Sequence, residues 1–180
     1  FYDQCMDPLK EITQNLSNSL KPRVYIELWN PYRTVRNGTE LDEVCMNSGG
    51  INIASNLTGD YPTVDQEWVI DQNPDFIISI MFNDDGYELG DPGKMEAIRD
   101  EIINRAGFSN ITAVKNGNVF VIDRNIGFLR HFVGVTYLSK LFHPDLFPEL
   151  NPDEINKEYL EKFQEIPYMG FYIYPSLGAN

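Results

Sequence analysis

The chain has 180 residues, of which 42% are hydrophobic, and a formal net charge of −13. This apolar content is sufficient for the core of one α/β domain and excludes an intrinsically disordered chain. The negative charge argues against nucleic acid and anionic membrane surfaces as partners, because both repel an acidic protein. No run of about 18 apolar residues is present, so the sequence predicts no segment that spans a membrane.

The first half of the chain alternates predicted helices with predicted strands. Apolar residues at helical spacing indicate the helices, and runs of β-branched and aromatic residues indicate the strands. In chain order these elements are a helix over 7–20, a strand over 24–29, a helix over 41–48, a strand over 51–54, a short helix capped by Thr63 or Asp65, and a strand over 76–82. Thr39 can cap the helix over 41–48, and Gly49-Gly50 ends it, since glycine adopts the left-handed conformation at low cost.

The second half continues the same alternation. Its elements are an acidic loop over 83–93, a helix over 95–106, a helical turn over 111–114, a strand over 119–122, a helix over 128–142, a helix that begins at Asn151-Pro152, and an aromatic segment over 168–174 that closes the domain as a strand or an extended stretch. Because strands alternate with helices, we predict an α/β fold with a largely parallel sheet flanked by helices.

Polar loops follow the predicted strands at their carboxyl ends, where open α/β sheets bind ligands. The loop after the first strand holds Tyr32, Arg33 and Arg36, which are therefore candidate ligand contacts. A solvated loop without a ligand is the alternative interpretation. The acidic loop over 83–93 resembles a calcium-binding loop only in part, because Lys94 stands where that motif requires a glutamate.

Motifs for catalysis and for cofactor binding are missing from the sequence. It contains no G-x-S-x-G elbow, no Walker A segment and no G-x-G-x-x-G segment, and neither His131 nor His143 has a cysteine or serine nearby to act with. We therefore predict a binding module without a cofactor rather than an enzyme. Cys5 and Cys45 lack C-x-x-C spacing, so they either form one disulfide in an oxidising compartment or remain buried thiols.

Five short segments, taken in order, point to one family. They are a helix ending in Gly49-Gly50 with Asn52-Ile53-Ala54 after it, Tyr61-Pro62 followed by Val64, Glu67 and Ile70, Asn73-Pro74-Asp75 followed by Ile77 and Ile78, AVKNGNVF over 113–120, and LSKLFHP over 138–144. This order resembles the C-terminal lobe of class III periplasmic (solute-binding) proteins. Such proteins serve ABC importers of iron–siderophore complexes, haem and vitamin B12.

The resemblance implies a Rossmann-like sheet and a place in a two-lobe protein. Residues 1–20 would be the end of the helix between the lobes, and residues 21–180 would be the C-terminal ligand-binding lobe. An N-terminal lobe and a membrane anchor would then precede this sequence. The protein would work outside the cytoplasm, in the periplasm or at the outer cell surface, and would deliver a metal chelate to the permease of an ABC transporter.

The resemblance also suggests roles for single residues. Glu67 stands at the place of a surface glutamate that pairs with permease arginines, although a helix-start glutamate without that role is the alternative. Tyr61 stands where the vitamin B12 members of the family often carry an aromatic residue that faces the ligand, and vitamin B12 is less favoured because this residue is not tryptophan. Cys45 matches a half-cystine of some members whose partner is C-terminal, so only Cys5 is available to pair with it here.

The identity of the ligand stays open. The arginines that could neutralise an anionic siderophore or the carboxylates of haem are Arg33, Arg36, Arg124 and Arg130. The aromatic residues that could stack on a siderophore, haem or corrinoid are Tyr32, Tyr61, Tyr87 and Phe128. Two other classes are considered: a lobe of a chelatase- or nitrogenase-like metallocofactor enzyme, and a cell-surface interaction domain without a small ligand.

Overall fold

One five-stranded sheet forms the centre of the computed structural model, which describes residues 1–177. The strands are β1 (Arg23–Glu27), β2 (Ile51–Asn52), β3 (Phe76–Met81), β4 (Val119–Asp123) and β5 (Ile173–Tyr174), in the order β2-β1-β3-β4-β5. Strands β1 to β4 are parallel, and β5 pairs with β4 in the antiparallel direction. The predicted α/β fold with a largely parallel sheet is confirmed.

Helices cover both faces of the sheet. They are α1 (Tyr2–Gln14), α2 (Glu40–Asn47), α3 (Gln66–Gln72), α4 (Gly93–Ile103), α5 (Thr112–Lys115), α6 (Arg124–Gly127), α7 (His131–Phe142) and α8 (Pro152–Phe163). Successive β3 residues alternate between two cores, since Ile78 and Ile80 pack with α1, α2 and α7, whereas Ile77 packs with α3, α4 and α5. Among the described residues, none of the helices combines the length and apolar character needed to cross a membrane.

The predicted helix signals are confirmed at several ends. The side chain of Thr39 accepts a hydrogen bond from the Asp42 N–H at 3.3 Å at the start of α2, and Asp65, rather than Thr63, caps α3. At α8, Asn151 accepts from the N–H of the third helical residue, and proline occupies the first turn. Of the two adjacent glycines after α2, only Gly49 is left-handed, at φ 80°.

Two predicted helices have different limits in the structure. The helix predicted over 7–20 begins at Tyr2 and ends at Gln14, because the polar residues that follow favour turns, and the Asn15 side chain donates to the Glu11 carbonyl at 2.7 Å. The helix predicted to begin at Phe128 begins only at His131, since the Arg130 N–H turns back to the carbonyl of Asn125 at 2.7 Å.

Candidate ligand-binding surface at the carboxyl edge of the sheet

Aromatic side chains from separate loops form a row at the carboxyl edge of the sheet. The ring centroid of Trp29 lies 5.6 Å from that of Tyr61 and 4.8 Å from that of Phe82, and Phe82 lies 5.5 Å from Phe128. All of these contacts have the edge-to-face geometry that aromatic pairs favour. Trp29 and Tyr61 remain 39% and 38% exposed, so the row presents an apolar surface to solvent.

A cation completes this row. The guanidinium of Arg33 lies over the ring of Trp29 at 5.3 Å and over the ring of Tyr61 at 5.9 Å. Its Nε atom is buried and has no hydrogen-bond partner among the described residues. A buried donor without an acceptor is costly, and the stacking of the guanidinium on the two rings is the contact that Arg33 has in its place. We call the surface formed by Trp29, Arg33, Tyr61, Phe82 and Phe128 the aromatic ledge.

The loop that carries Trp29 and Arg33 is held from behind by a buried carboxylate. Glu27, which is 3% exposed, accepts the Tyr32 N–H at 2.9 Å and forms a two-point ion pair with Arg105 at 2.7 and 2.8 Å. Tyr32 has φ 65°, in the left-handed region that residues other than glycine rarely adopt. The strained turn is therefore fixed by a charge-assisted network rather than by local sequence preference.

A cavity of about 390 Å³ lies behind the ledge, between the sheet and α4. Glu27 and Ser79, which are paired in register on β1 and β3, line it from the sheet side. Glu101 and Arg105 line it from the α4 side, and Trp29 is at its rim. The carboxyl edge therefore offers both an exposed aromatic surface and a charged recess beside it.

Two of the predicted contacts lie around a second depression of about 320 Å³. Tyr87 and Arg130 both line it. The guanidinium of Arg130 lies over the ring of Tyr172 at 5.2 Å, donates to the side-chain oxygen of Asn156 at 3.3 Å and lies 4.0 Å from the carboxylate of Asp123. Because the side chain is only 11% exposed, these protein groups account for most of its surroundings.

The remaining predicted residues differ in their surroundings. Arg124 donates to the backbone carbonyl of Phe82 at 3.2 Å, beside the ledge. Arg36 is exposed and pairs with Asp60 at 3.4 Å. Tyr32 packs against Phe108, on the face of the sheet opposite to the one on which Phe82 and Phe128 pack. The structure thus brings together Arg33, Tyr61, Phe128 and Arg124, and it places Tyr32, Tyr87 and Arg130 elsewhere.

Sequence reasoning missed two members of the ledge. Trp29 and Phe82 were assigned to the ends of predicted strands, whereas β1 ends at Glu27 and β3 ends at Met81. Both rings therefore belong to loops at the carboxyl edge of the sheet. An aromatic residue at the last position of a predicted parallel strand is the signal that would have identified them.

The other predicted features lie outside the ledge. Glu67 is exposed in the first turn of α3 and forms no ion pair with another described residue. Cys5 and Cys45 are both free thiols in the structure, and burial raises the pKa of Cys45. Within residues 1–177, no three His, Cys, Asp or Glu side chains are grouped so that they could hold a metal ion.

Comparisons with known proteins give the family. A family model described as periplasmic binding protein matches residues 1–126 of the 180. No curated protein matches the sequence. The fold is similar to that of FepB, a TroA-like periplasmic binding protein from Veillonella parvula, with a TM-score of 0.82 and 21% identity over 96% of this chain and 53% of that chain.

Two further solved structures have the same fold. The molybdate-bound periplasmic protein MolA from Haemophilus influenzae has a TM-score of 0.76 and 20% identity over 94% of this chain and 50% of its own. CeuE from Helicobacter pylori, in a nickel–histidine complex, has a TM-score of 0.70 and 16% identity over 89% of this chain and 49% of its own.

The chain spans about half the length of these solved structures, and its α/β fold matches one lobe of a binding protein. The likeness to the solved structures shows the fold, and the match over residues 1–126 shows the family. The family consists of binding proteins rather than enzymes. This chain belongs to the periplasmic binding protein family.

Proposed function

We propose that this chain is the C-terminal lobe of the solute-binding component of an ABC importer. In this proposal it binds an iron–siderophore or a related metal chelate and delivers it to a membrane permease. The observation that carries the proposal is the aromatic ledge: an exposed row of rings with a stacked arginine, at the edge of a parallel sheet where ligands bind.

The chemistry of the ledge suits a large, delocalised and anionic ligand. Exposed rings offer stacking surface to a catecholate, a porphyrin or a corrin, and Arg33 offers a positive charge stacked on two of these rings. Arg124 adds a second cation beside Phe82. In a chain with a net charge of −13, these cations make the ledge a local exception to the acidic surface.

The named relatives include one crystallised with molybdate and one in a nickel–histidine complex, so the fold accepts solutes of different size. A small oxyanion would use few of the rings that the ledge exposes. The extent of the apolar surface therefore favours a chelate with an organic scaffold. The enzyme alternative, a metallocofactor lobe, is not supported because the family consists of binding proteins.

We also propose the placement of this lobe in a longer protein. Residues 1–20 would connect it to an N-terminal lobe, and an N-terminal segment would anchor the protein outside the cytoplasm. Two observations support this: the solved relatives are about twice as long, and α1 packs on this lobe through Met6 and Leu9. Glu67, exposed at the start of α3, is the proposed contact with the permease.

Tryptophan fluorescence tests the ligand proposal, because the sequence has two tryptophans and only Trp29 belongs to the ledge. The probes are a ferric catecholate, a ferric hydroxamate, haem and cobalamin. We expect saturable quenching by at least one probe, loss of most of this quenching in Trp29→Phe, and its retention in the matched control Trp68→Phe. Absence of quenching by all four probes, or equal quenching in the two variants, would contradict the proposal.

A further inference from the structure

The cavity behind the aromatic ledge is lined by an uneven number of opposite charges. The carboxylate of Glu27 pairs with both terminal nitrogens of Arg105 at 2.7 and 2.8 Å, and one of these nitrogens also lies 3.1 Å from the carboxylate of Glu101. Two carboxylates therefore share one guanidinium, and the excess negative charge lies on Glu101, whose side chain is 63% exposed at the open side of the cavity. At the rim, Asp84 and Lys94 form an ion pair that adds no net charge.

A buried hydroxyl faces the same cavity. Ser79 is 3% exposed, it lines the cavity beside Glu27, and its hydroxyl makes no hydrogen bond to any residue of the part that the structure describes. Its oxygen is open to the cavity rather than fully enclosed, so a donor in the cavity can reach it. It is an acceptor available to a donor that enters the cavity.

The wall between rim and floor is apolar. Met81, Ala97 and Ile98 contribute to it, so an alkyl chain can pass along this wall without burying a polar group. The combination of an apolar wall, the excess negative charge of Glu101 and an available acceptor favours a positively charged donor at the end of a short chain. An anionic group would instead be repelled by Glu101, since Arg105 already neutralises Glu27.

We propose that this cavity binds a primary ammonium group carried on a short alkyl arm. The ammonium would donate to the Ser79 hydroxyl and to the Glu101 oxygen that makes no hydrogen bond to Arg105. The biological meaning of this site rests on the proposed function: the arm would belong to the solute whose delocalised, anionic part lies on the aromatic ledge. One solute would then be recognised at two places of opposite charge.

The test uses three five-carbon probes with different head groups: pentylammonium, pentanoate and pentanol. Each is titrated into the ¹⁵N-labelled protein at constant ionic strength, and the amide shifts of Ser79, Ala97 and Glu101 are followed by NMR. We expect pentylammonium to shift these amides in a saturable way and pentanoate to leave them unchanged. No shift with pentylammonium, or binding of pentanoate with equal or higher affinity, would overturn the proposal.

A pair of variants separates this site from a general attraction of cations to an acidic protein. Glu101→Gln removes a carboxylate that lines the cavity, whereas Asp100→Asn removes an exposed neighbouring carboxylate that does not. Glu101→Gln should weaken pentylammonium binding by about fivefold or more, and Asp100→Asn should change it by less than about twofold. Equal weakening in both variants would overturn the site.

The result is independent of the metal-chelate test. If pentylammonium binds but none of the four quenching probes does, the proposed function fails and the ammonium site remains. If a chelate binds on the ledge and pentylammonium does not enter the cavity, the ammonium site fails and the proposed function remains.

Discussion

Glu27 and Arg105, which are 78 residues apart in the sequence, form a two-point ion pair that ties the end of β1 to the segment after α4. The same guanidinium lies 4.9 Å from the ring centroid of Tyr32. Burial lowers the pKa of Arg105, but the hydrogen bond and charge of Glu27 outweigh it and raise the pKa overall, so the guanidinium stays charged. This pair holds the backbone turn that presents Trp29 and Arg33 to solvent.

The first prediction concerns this pair. Glu27→Ala should lower the free energy of unfolding by about 3–5 kcal/mol, because it leaves the guanidinium of Arg105 buried without its main partner. Urea unfolding measures the change. The matched control is Glu158→Ala, which removes the exposed ion pair with Lys162 and should cost at most about 0.5 kcal/mol. Similar costs for the two substitutions would contradict a structural role for the buried pair.

The second prediction concerns the turn after α2. Gly49 has φ 80°, and a Cβ atom there would lie 2.6 Å from Nε2 of His143. Gly117 has a similar φ of 74°, but a Cβ there would meet nothing within 4 Å. Both substitutions to alanine carry the left-handed penalty of roughly 1–2 kcal/mol, and Gly49→Ala should cost about 1–3 kcal/mol more because of the clash. Thermal or urea unfolding measures the loss of stability in each variant. An equal loss in both would contradict the prediction, because it would show that the His143 side chain moves away from the added Cβ without cost.

The third prediction concerns pH. Burial lowers the pKa of His143, and the hydrogen bond from Nε2 to the Gly49 carbonyl at 3.1 Å offsets this only in part. The unfolded chain, with an imidazole pKa of about 6.5, therefore takes up a proton more readily than the folded chain. Stability that is present above about pH 6.5 should be lost as the pH falls below it. The free energy of unfolding in urea is measured at about pH 7.5 and pH 5.5 for the unsubstituted protein and for His143→Gln. Its decrease between the two pH values should be smaller in His143→Gln, and an equal decrease in both proteins would exclude His143 as the cause.

The fourth prediction concerns permease docking. Glu67→Arg should leave the dissociation constant of the solute within about twofold and lower its uptake by at least about tenfold, because a reversed charge opposes a cationic docking pocket. Uptake is measured in cells that carry the importer. Asp71→Arg, an equal charge reversal at the other end of α3, is the control and should leave uptake nearly unchanged. Normal uptake with Glu67→Arg would remove the proposed docking role.

Much of the fold follows from local patterns. The caps at Thr39, Asp65 and Asn151 are formed by side chains that bond to backbone groups a few residues away, so the sequence contains both partners. The alternation of helices and apolar strands likewise predicts a parallel sheet. The same information predicted ligand contacts at the carboxyl edge, among them Arg33 and Tyr61, whose side chains lie together in the structure.

The exact ends of strands and the direction of loop side chains were less predictable. Trp29 and Phe82 continue the apolar pattern of their strands, so the pattern alone does not show that hydrogen bonding stops before them. Tyr32 was predicted as a ligand contact, but its backbone is turned by the buried carboxylate of Glu27. That carboxylate is stable there only because Arg105 reaches it from a distant segment.

By itself the sequence determined the order of elements, the largely parallel sheet and the family, because these depend on periodicity, caps and short segments read along the chain. Only the tertiary structure decided which side chains form the aromatic ledge and which charges line the cavity behind it. Trp29, Tyr61, Phe82 and Phe128 come from separate loops, and their contacts exist only after the strands have paired. The positions of these loops depend on packing and on buried ion pairs, which are interactions between residues far apart in the sequence.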